Sequence, residues 1–214
     1  LFFVFLDIVE KLKPKAVIAE NVTGLIKGNA RYYVTQIIKR FKEIGYDVQI
    51  FQLNAAFMNV PQRRERIFFI ANRMGFPKLK LEFHGKPIPF GEVRTEKGKP
   101  FKNENALYLK LLASAIPQDK AIADIKKRLG FKKQGGFNHL ICSDDGIAPC
   151  CPASSSPFRF FDRMYLSDGD FRNIASFPQD YDFNGFNVQF ICGMSVPPNM
   201  MANIAYQVRK QWFE

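Results

Sequence analysis

Apolar residues recur at helical spacing along the first 12 residues and predict an amphipathic helix. Pro14 ends that pattern, because proline does not continue a helix. The residues predicted to face inward are Phe3, Leu6, Val9 and Leu12. The next apolar run, AVIA at 16–19, predicts a short strand buried on both faces, as in parallel sheets.

A second helical pattern covers 30–45, with Gly45 as its C-cap. Its predicted inward residues are Val34, Ile37, Ile38, Phe41 and Ile44. Strand patterns follow at 46–54 and 66–72. The order helix, strand, helix, strand, strand indicates part of an open α/β sheet with crossover helices.

From about Met74 the pattern weakens, and Pro, Gly and Lys become frequent, which indicates a boundary near residue 73. Helical patterns return at 103–116 and 122–129. The last helix is predicted to start at Pro197 and Pro198. Its predicted inward residues are Met201, Ile204, Ala205 and Val208.

Composition narrows the class of protein. With 214 residues, 47% hydrophobic and 24% charged, the chain is globular, with one large or two modest domains. No apolar run approaches the roughly 20 residues that span a bilayer, so we expect no membrane span and a cytoplasmic protein. The chain starts with Leu1, and we expect a cut-out or processed piece of a longer protein.

Four cysteines occur, and their spacing contains no CxxC pair. A zinc site that includes His139 is one interpretation, and reduced cytosolic thiols are the favoured one. We therefore predict no metal.

Positive charge is concentrated in the middle of the chain. Residues 73–140 hold 15 Lys and Arg against 6 Asp and Glu, so their net charge is +9 out of +11 for the whole chain. Such a segment either binds a polyanion, for which nucleic acid is the commonest choice, or forms a solvated lysine-rich surface.

Several motifs occur together: AENVTGL at 19–25, PQRRERIFF at 61–69, RMYLSDGD at 163–170 and GMSVPP at 193–198. In this order they resemble the later motifs of DNA cytosine-5 methyltransferases. The matching residues are Glu20, Asn21 and Val22 (ENV), Gln62, Arg64 and Arg66 (QxRxR), Arg163, Leu166, Ser167, Asp170, Phe177 and Pro178, and Gly193 to Pro198.

The resemblance implies an α/β fold, namely the C-terminal part of a Rossmann-like S-adenosylmethionine-dependent methyltransferase sheet with a smaller target-recognition domain. Residues 1–72 and 185–214 would form the catalytic part and residues 73–184 the recognition domain. The substrate would be cytosine flipped out of double-stranded DNA.

The resemblance also implies roles for individual residues. Glu20 would give a proton to nitrogen 3 of cytosine, Arg66 would stabilise charge on the carbonyl oxygen, and Arg64 would assist at the site or at a phosphate. The residues matched to S-adenosylmethionine binding are Asn21, Ser195 and Val196. The expected DNA-binding residues are Arg63, Lys126, Lys127, Lys132, Lys133 and Arg163.

The chain departs from the family pattern. The Pro-Cys nucleophile and the glycine-rich cofactor loop are not among its residues, so we expect a C-terminal part that needs an N-terminal half from the same gene or a separate subunit. Met194 stands where the family has Asn, and Cys150 and Cys151 stand where it has threonines. A non-catalytic DNA-binding module is the alternative, and a nuclease or phosphotransferase receives little support because paired acids for a metal are lacking.

Overall fold

The structure is a computed structural model that describes residues 1–28, 31–100, 106–131 and 139–214. Helices within these ranges are α1 (Phe2–Leu12), α2 (Arg31–Glu43), α3 (Ala106–Ala113), α4 (Ile122–Arg128), α5 (Asp168–Ile174), α6 (Val188–Met194) and α7 (Pro198–Trp212). Strands are β1 (Ala16–Val22), β2 (Asp47–Asn54), β3 (Glu65–Asn72), β4 (Ile141–Cys142) and β5 (Phe158–Arg159). The predicted helices and strands are present, and residue 30 of one predicted helix and residues 103–105 of another lie outside the described ranges.

Contacts within the chain divide it into two compact units. Unit 1 comprises Leu1–Asn54, Glu65–Phe83 and Ile204–Glu214, and unit 2 comprises Ala55–Arg64 and His84–Asn203. This division places residues 55–64 and 185–203 in unit 2 and residues 73–83 in unit 1, unlike the predicted boundaries. The catalytic and recognition labels for the two parts stay predictions.

Unit 1 contains a three-stranded sheet in the order β1-β3-β2. Because β3 is antiparallel to both neighbours, β1 and β2 run parallel to each other, and α2 connects them as a crossover helix. The predicted α/β sheet is confirmed. The prediction that 16–19 is buried on both faces is wrong: β1 is an edge strand, mostly half-buried, and the central position belongs to β3.

One core cluster of unit 1 lies on one face of this sheet, against α1 and α2. Leu6 and Val9 are buried as predicted, and the ring of Phe2 packs edge-on against Phe69 at 4.9 Å. The predicted inward positions Phe3 and Leu12 are wrong, since they are 41% and 75% exposed. Helix α1 turns Phe2 and Phe5 towards the core instead, which leaves a second apolar side facing outwards.

Unit 2 contains a mainly apolar core built from the segments around α5 and α6, with the thiols of three cysteines inside it. A second cluster joins α3 and α4 to β4 and β5. Strands β4 and β5 are two residues long and parallel. Loops therefore make up much of this unit, in keeping with the weak periodicity after Met74.

The inward stripe of α7 differs by one position from the prediction. Its buried residues follow an i, i+4 spacing and are Met200, Ile204, Val208 and Trp212. Met201 is half-buried and Ala205 exposed, so those two predictions are wrong. The indole of Trp212 donates a hydrogen bond to the Pro77 carbonyl (2.9 Å), which orients the end of this helix. No helix in the described part of the chain combines the length and apolar character that crossing a membrane requires.

Candidate functional site

Two predicted site residues of unit 1 are in direct contact. The Nε of Arg66 on β3 lies 2.8 Å from Oε1 of Glu20 on β1. Their side chains are 15% and 29% exposed respectively, so both are largely enclosed and still open to a ligand. Nη1 of Arg66 donates to the Glu65 carbonyl at 2.8 Å, which fixes the plane of the guanidinium.

Strand register explains this contact. Glu20 pairs with Phe68 and Val22 pairs with Arg66, so Glu20 and Arg66 are diagonal neighbours on one face of the antiparallel pair. The core cluster with α1 and α2 uses Ile67, which alternates with them and lies on the other face. Glu20 therefore pairs with Arg66 on the sheet face opposite α1 and α2, near the carboxyl end of β1.

Asn21 follows Glu20 and is half-buried. Its Oδ1 accepts a hydrogen bond from the backbone N–H of Val22 (2.8 Å), which leaves the amide nitrogen of its side chain pointing away from this local turn. The residue is thus held in place by its own backbone and carries a donor group at the strand end.

Arg64 belongs to unit 2 and is almost completely buried, with 1% exposed. Its Nη2 donates to the carbonyl of Gly193 at 2.8 Å, and its Nη1 lies 3.3 Å from Sγ of Cys150. Gln62, also buried, places Oε1 3.5 Å from the same Nη1. Arg64 therefore links the QRRER turn to the GMSVPP segment, and its burial does not favour the predicted contact with a DNA phosphate.

The segment from Gly193 to Pro198 lies between α6 and α7. A Cβ on Gly193 would lie 2.7 Å from backbone atoms of Ala153, so only glycine fits this approach. The hydroxyl of Ser195 donates to the Ile191 carbonyl at 2.6 Å. Val196 is half-buried, and Met194 is 67% exposed. These contacts describe a well-packed turn whose serine hydroxyl already has a partner inside the protein.

The predicted DNA-binding residues of unit 2 are distributed over several segments. Arg63 is exposed, and its backbone N–H donates to the Ala148 carbonyl (2.8 Å). The guanidinium of Arg163 stacks 4.2 Å from the Phe160 ring and donates to the Ala115 carbonyl (3.4 Å). Lys127 on α4 is exposed, and the ammonium of Lys126 lies 6.0 Å from the Tyr108 ring. Lys132 and Lys133 lie outside the described residues, and the DNA-binding roles stay predictions.

The RMYLSDGD segment is a buried polar framework. Ser167 caps α5 by accepting the Asp170 N–H (3.0 Å), and Asp170 accepts the Ser167 N–H in return (2.8 Å), a capping box. Asp170 and Arg159 are fully buried and form an ion pair at 3.3 Å. Because the Asp170 carboxylate also accepts the Thr95 N–H (2.7 Å), Ser167 and Asp170 organise the interior of unit 2.

Three of the four thiols are unreactive in this fold. Burial raises the pKa of Cys142 and of Cys151 well above the usual range, and it raises the pKa of Cys192 to about 12. Cys150 is half-exposed. Since the thiolate is the nucleophile, Cys151 in the APCCP segment is not suited to nucleophilic attack.

The sequence did not indicate two partners of Arg64, the Cys150 thiol and the Gly193 carbonyl. These residues lie 86 and 129 positions away in the chain. Gly193 belongs to a recognised motif and Cys150 to the APCCP segment, but no local sequence pattern pairs either residue with an arginine. Such contacts follow from the tertiary fold.

Comparison with known proteins identifies the family. A model of the C-5 cytosine-specific DNA methylase family matches residues 1–141. Type II methyltransferase M.MthTI of Methanothermobacter thermautotrophicus is 25% identical over 98% of this chain and 70% of its own length. M.FnuDI of Fusobacterium nucleatum is 38% identical over 43% of this chain and 26% of its own length. M.NgoFVII of Neisseria gonorrhoeae is 27% identical over 95% of this chain and 61% of its own length. The chain thus spans less than two thirds of the latter two relatives.

Solved structures show the fold. A mutant of Spodoptera frugiperda DNMT2 has a TM-score of 0.68 and 15% identity, covering 97% of this chain and 71% of its own. The S. pombe Dnmt2 methyltransferase has a TM-score of 0.63 and 12% identity, covering 98% of this chain and 71% of its own. Both are consistent with a Rossmann-like methyltransferase fold. With its motifs, its sheet and the match over residues 1–141, the chain belongs to the C-5 cytosine-specific DNA methylase family.

Proposed function

We propose that this chain is the C-terminal part of a DNA cytosine-5 methyltransferase. The complete enzyme transfers a methyl group from S-adenosylmethionine to carbon 5 of a cytosine flipped out of specific duplex DNA. The observation that carries the proposal is the contact of 2.8 Å between Glu20 and Arg66 at the end of an α/β sheet strand.

The chemistry of the reaction calls for such a pair. Carbon 5 of cytosine becomes reactive when a nucleophile adds to carbon 6, and negative charge then develops on nitrogen 3 and on the carbonyl oxygen at position 2. A carboxyl group donates a proton to nitrogen 3 and accepts from the exocyclic amine, which selects cytosine over thymine. A guanidinium stabilises the oxygen.

The contacts of Arg66 leave a donor available for that oxygen. Its Nε is used by Glu20 and its Nη1 by the Glu65 carbonyl. Within the described residues, Nη2 has no hydrogen-bond partner in the protein. One guanidinium therefore orients the acid through one edge and offers its remaining edge to the base. In this arrangement Glu20 is the proton donor and Arg66 the oxygen-binding group.

Arg64 supports the site from inside the protein. Its buried guanidinium ties the QRRER turn to Gly193 and Cys150, so it acts as a positioning residue for the segment that leads into β3. It does so without reaching the base, because it is 1% exposed.

The residues matched to S-adenosylmethionine fall in both units. Asn21 belongs to unit 1, whereas Ser195 and Val196 belong to unit 2, and the Ser195 hydroxyl is already bonded to Ile191. Asn21 keeps a side-chain amide donor for a ligand. We propose that most contacts to the cofactor, together with the nucleophilic cysteine, come from the N-terminal half of the enzyme.

Unit 1 offers a surface on which an N-terminal half would dock. Residues on the outer side of α1 are apolar, recur every four positions and are at least half exposed: Val4, Ile8 and Leu12. Contiguous exposed apolar surface of this kind marks an interaction site. Next in the chain, β1 is a sheet edge that pairs with β3 on its other side, and an unpaired edge accepts a further strand.

Duplex DNA is the proposed substrate because the basic residues of the middle segment supply charge for phosphate contacts. Residues 73–140 carry a net charge of +9. Such contacts give binding that weakens steeply with salt. Neutralising lysines of this segment, including the half-buried Lys126 and the exposed Lys127, is expected to flatten that salt dependence.

The proposal is tested by complementation. The chain is purified alone and with the polypeptide encoded immediately upstream, and transfer of radiolabelled methyl groups to duplex DNA is measured. We expect no transfer by the chain alone and transfer by the pair. Ile8→Asp on the outer side of α1 should abolish complementation, whereas Tyr206→Asp, at a similarly exposed position of α7, should not.

Two results would contradict parts of this proposal. Turnover by the chain alone would show that its own residues include the nucleophile. DNA binding by the pair without any methyl transfer would favour the second candidate, a non-catalytic DNA-binding module, which the basic middle segment also supports.

A further inference from the structure

A hairpin in unit 2 presents an aromatic side chain to the outside. Residues 158–165 fold back on themselves, with Phe158 bridged to Tyr165 and the Arg159 N–H donating to the Met164 carbonyl (2.8 Å). The turn at its tip carries Phe161, which is 64% exposed, one of the more exposed large aromatic side chains in the described chain.

Ion pairs and close packing at the base of the turn stabilise the tip that carries Phe161. Arg159, at the base of the turn, is fully buried and reaches Asp162 in the turn at 3.0 Å and Asp170 of α5 at 3.3 Å. A Cβ on Gly98 would lie 2.6 Å from the Tyr165 carbonyl oxygen, so the neighbouring segment packs closely against the hairpin. A buried ion-pair network therefore supports an outward-facing ring.

Two arginines near the tip lie against aromatic rings, Arg94 against Phe161 and Arg163 against Phe160. The guanidinium carbon of Arg94 lies 4.5 Å from the Phe161 centroid, and its Nε is fixed by both carboxylate oxygens of Asp144 at 3.1 Å. Arg163, two residues further along, stacks on Phe160 and has no carboxylate partner among the described residues. The tip thus combines a stacking surface, a cation on that ring and a second cation available to an anion.

We propose that Phe161 stacks on a nucleobase of the bound DNA at an opened base step, with Arg163 contacting the adjoining phosphate. A nucleotide pairs an aromatic ring with an anion at short distance, which matches this tip better than a purely apolar protein partner does. The proposal rests on the proposed function, since it requires that the chain binds DNA, and it adds a base-contacting residue outside the Glu20 site.

Stacking and phosphate contacts respond differently to salt, and this separates the two residues. Phosphate contacts release counterions, so each one lost reduces the slope of log affinity against log salt by about 0.9. Stacking releases none. The variant Phe161→Ala should weaken binding with an unchanged slope, and Arg163→Gln should lower the slope by about one.

The experiment measures binding of the full chain to a fluorescent duplex with one mismatched base, by anisotropy over a range of salt concentrations. We expect Phe161→Ala to weaken binding by about 5- to 150-fold, the range for loss of one base–aromatic stack. Phe161→Trp should restore it and Phe161→Leu should not. Phe186→Ala, which removes a ring that is 66% exposed elsewhere in unit 2, is the matched control and should bind normally.

The possible results distinguish failure of the stacking role from failure of the proposed function. Normal binding by Phe161→Ala, full restoration by leucine, or an equal loss in the Phe186 control would overturn the stacking role while leaving the proposed function intact. Failure of the unmodified chain to bind the duplex at low salt would instead contradict the proposed function, and the stacking role with it.

Discussion

Glu20 and Arg66 form a 2.8 Å ion pair across two antiparallel strands, although they stand at opposite ends of their own strands. Glu20 lies near the end of β1, and Arg66 lies near the beginning of β3. The antiparallel register brings these ends together. An acid and a guanidinium therefore meet beside the loops that leave and enter the sheet.

Replacing Glu20 by Gln tests the acid in the complemented enzyme. The amide keeps the size of the side chain and removes its transferable proton, so turnover should fall by about 10²- to 10⁴-fold, the range for a lost general acid. The measurement is the rate of methyl transfer at saturating DNA. Glu43→Gln, an exposed carboxylate on α2, is the control and should keep full activity. An unchanged rate for Glu20→Gln would remove this residue from the mechanism.

Replacing Arg64 by Lys tests its bridging role. A single ammonium does not reproduce the two contacts to Gly193 and Cys150, so the free energy of unfolding should fall by about 1.5–3 kcal/mol, as for a lost hydrogen bond of a charged group. Urea denaturation gives this value. Arg63→Lys changes an exposed neighbour and should alter stability by less than about 0.5 kcal/mol. Equal stability of the two variants would argue against the buried bridge.

Substitution of the two aspartates of α5 should lower the free energy of unfolding by very different amounts. Asp170→Asn breaks a buried pair with Arg159 and should reduce the free energy of unfolding by about 3–5 kcal/mol. Asp168→Asn removes a surface pair with Lys99 in which both side chains are 52% exposed, and should change it by about 1 kcal/mol or less. Thermal or urea unfolding monitored by circular dichroism compares them. Similar losses in both variants would show that Asp170 is not the centre of this framework.

The thiols should react with iodoacetamide in a fixed order at pH 7.5. Cys150 is half-exposed and should be alkylated first. Burial raises the pKa of Cys192 to about 12 and that of Cys151 well above its usual range, so both remain protonated and react slowly. Peptide mass spectrometry over time follows each site. Labelling of Cys151 as fast as Cys150 would indicate that the APCCP segment opens readily.

Local patterns were sufficient to predict the helices and strands of unit 1. Helix α2 follows from its apolar spacing and ends just before Gly45, whose φ of 82° suits glycine at a helix C-cap. The order of strands did not follow from the same patterns, because pairing depends on contacts between distant segments. Contacts between distant segments place β1 at the edge of the sheet and β3 at its centre.

The site was predictable only in part for the same reason. Motif resemblance pointed to Glu20 and Arg66, and the contact between them is observed. Arg64 was grouped with them because it belongs to the same motif, yet its side chain is buried against Gly193. The alternation of side chains along an extended segment does not show which of its two faces is buried by other parts of the chain.

The pairing of β1 with β3 limits where this chain tolerates insertions and deletions. Deleting one residue from the 70–72 part of β3 would shift its register with β1 and turn Arg66 to the face covered by α1 and α2, although every motif residue would remain in the sequence. The turn at 55–64 and the segment after Asn72 lie outside the paired region. Insertions in homologous chains should therefore accumulate in those connections, and strand lengths should stay constant.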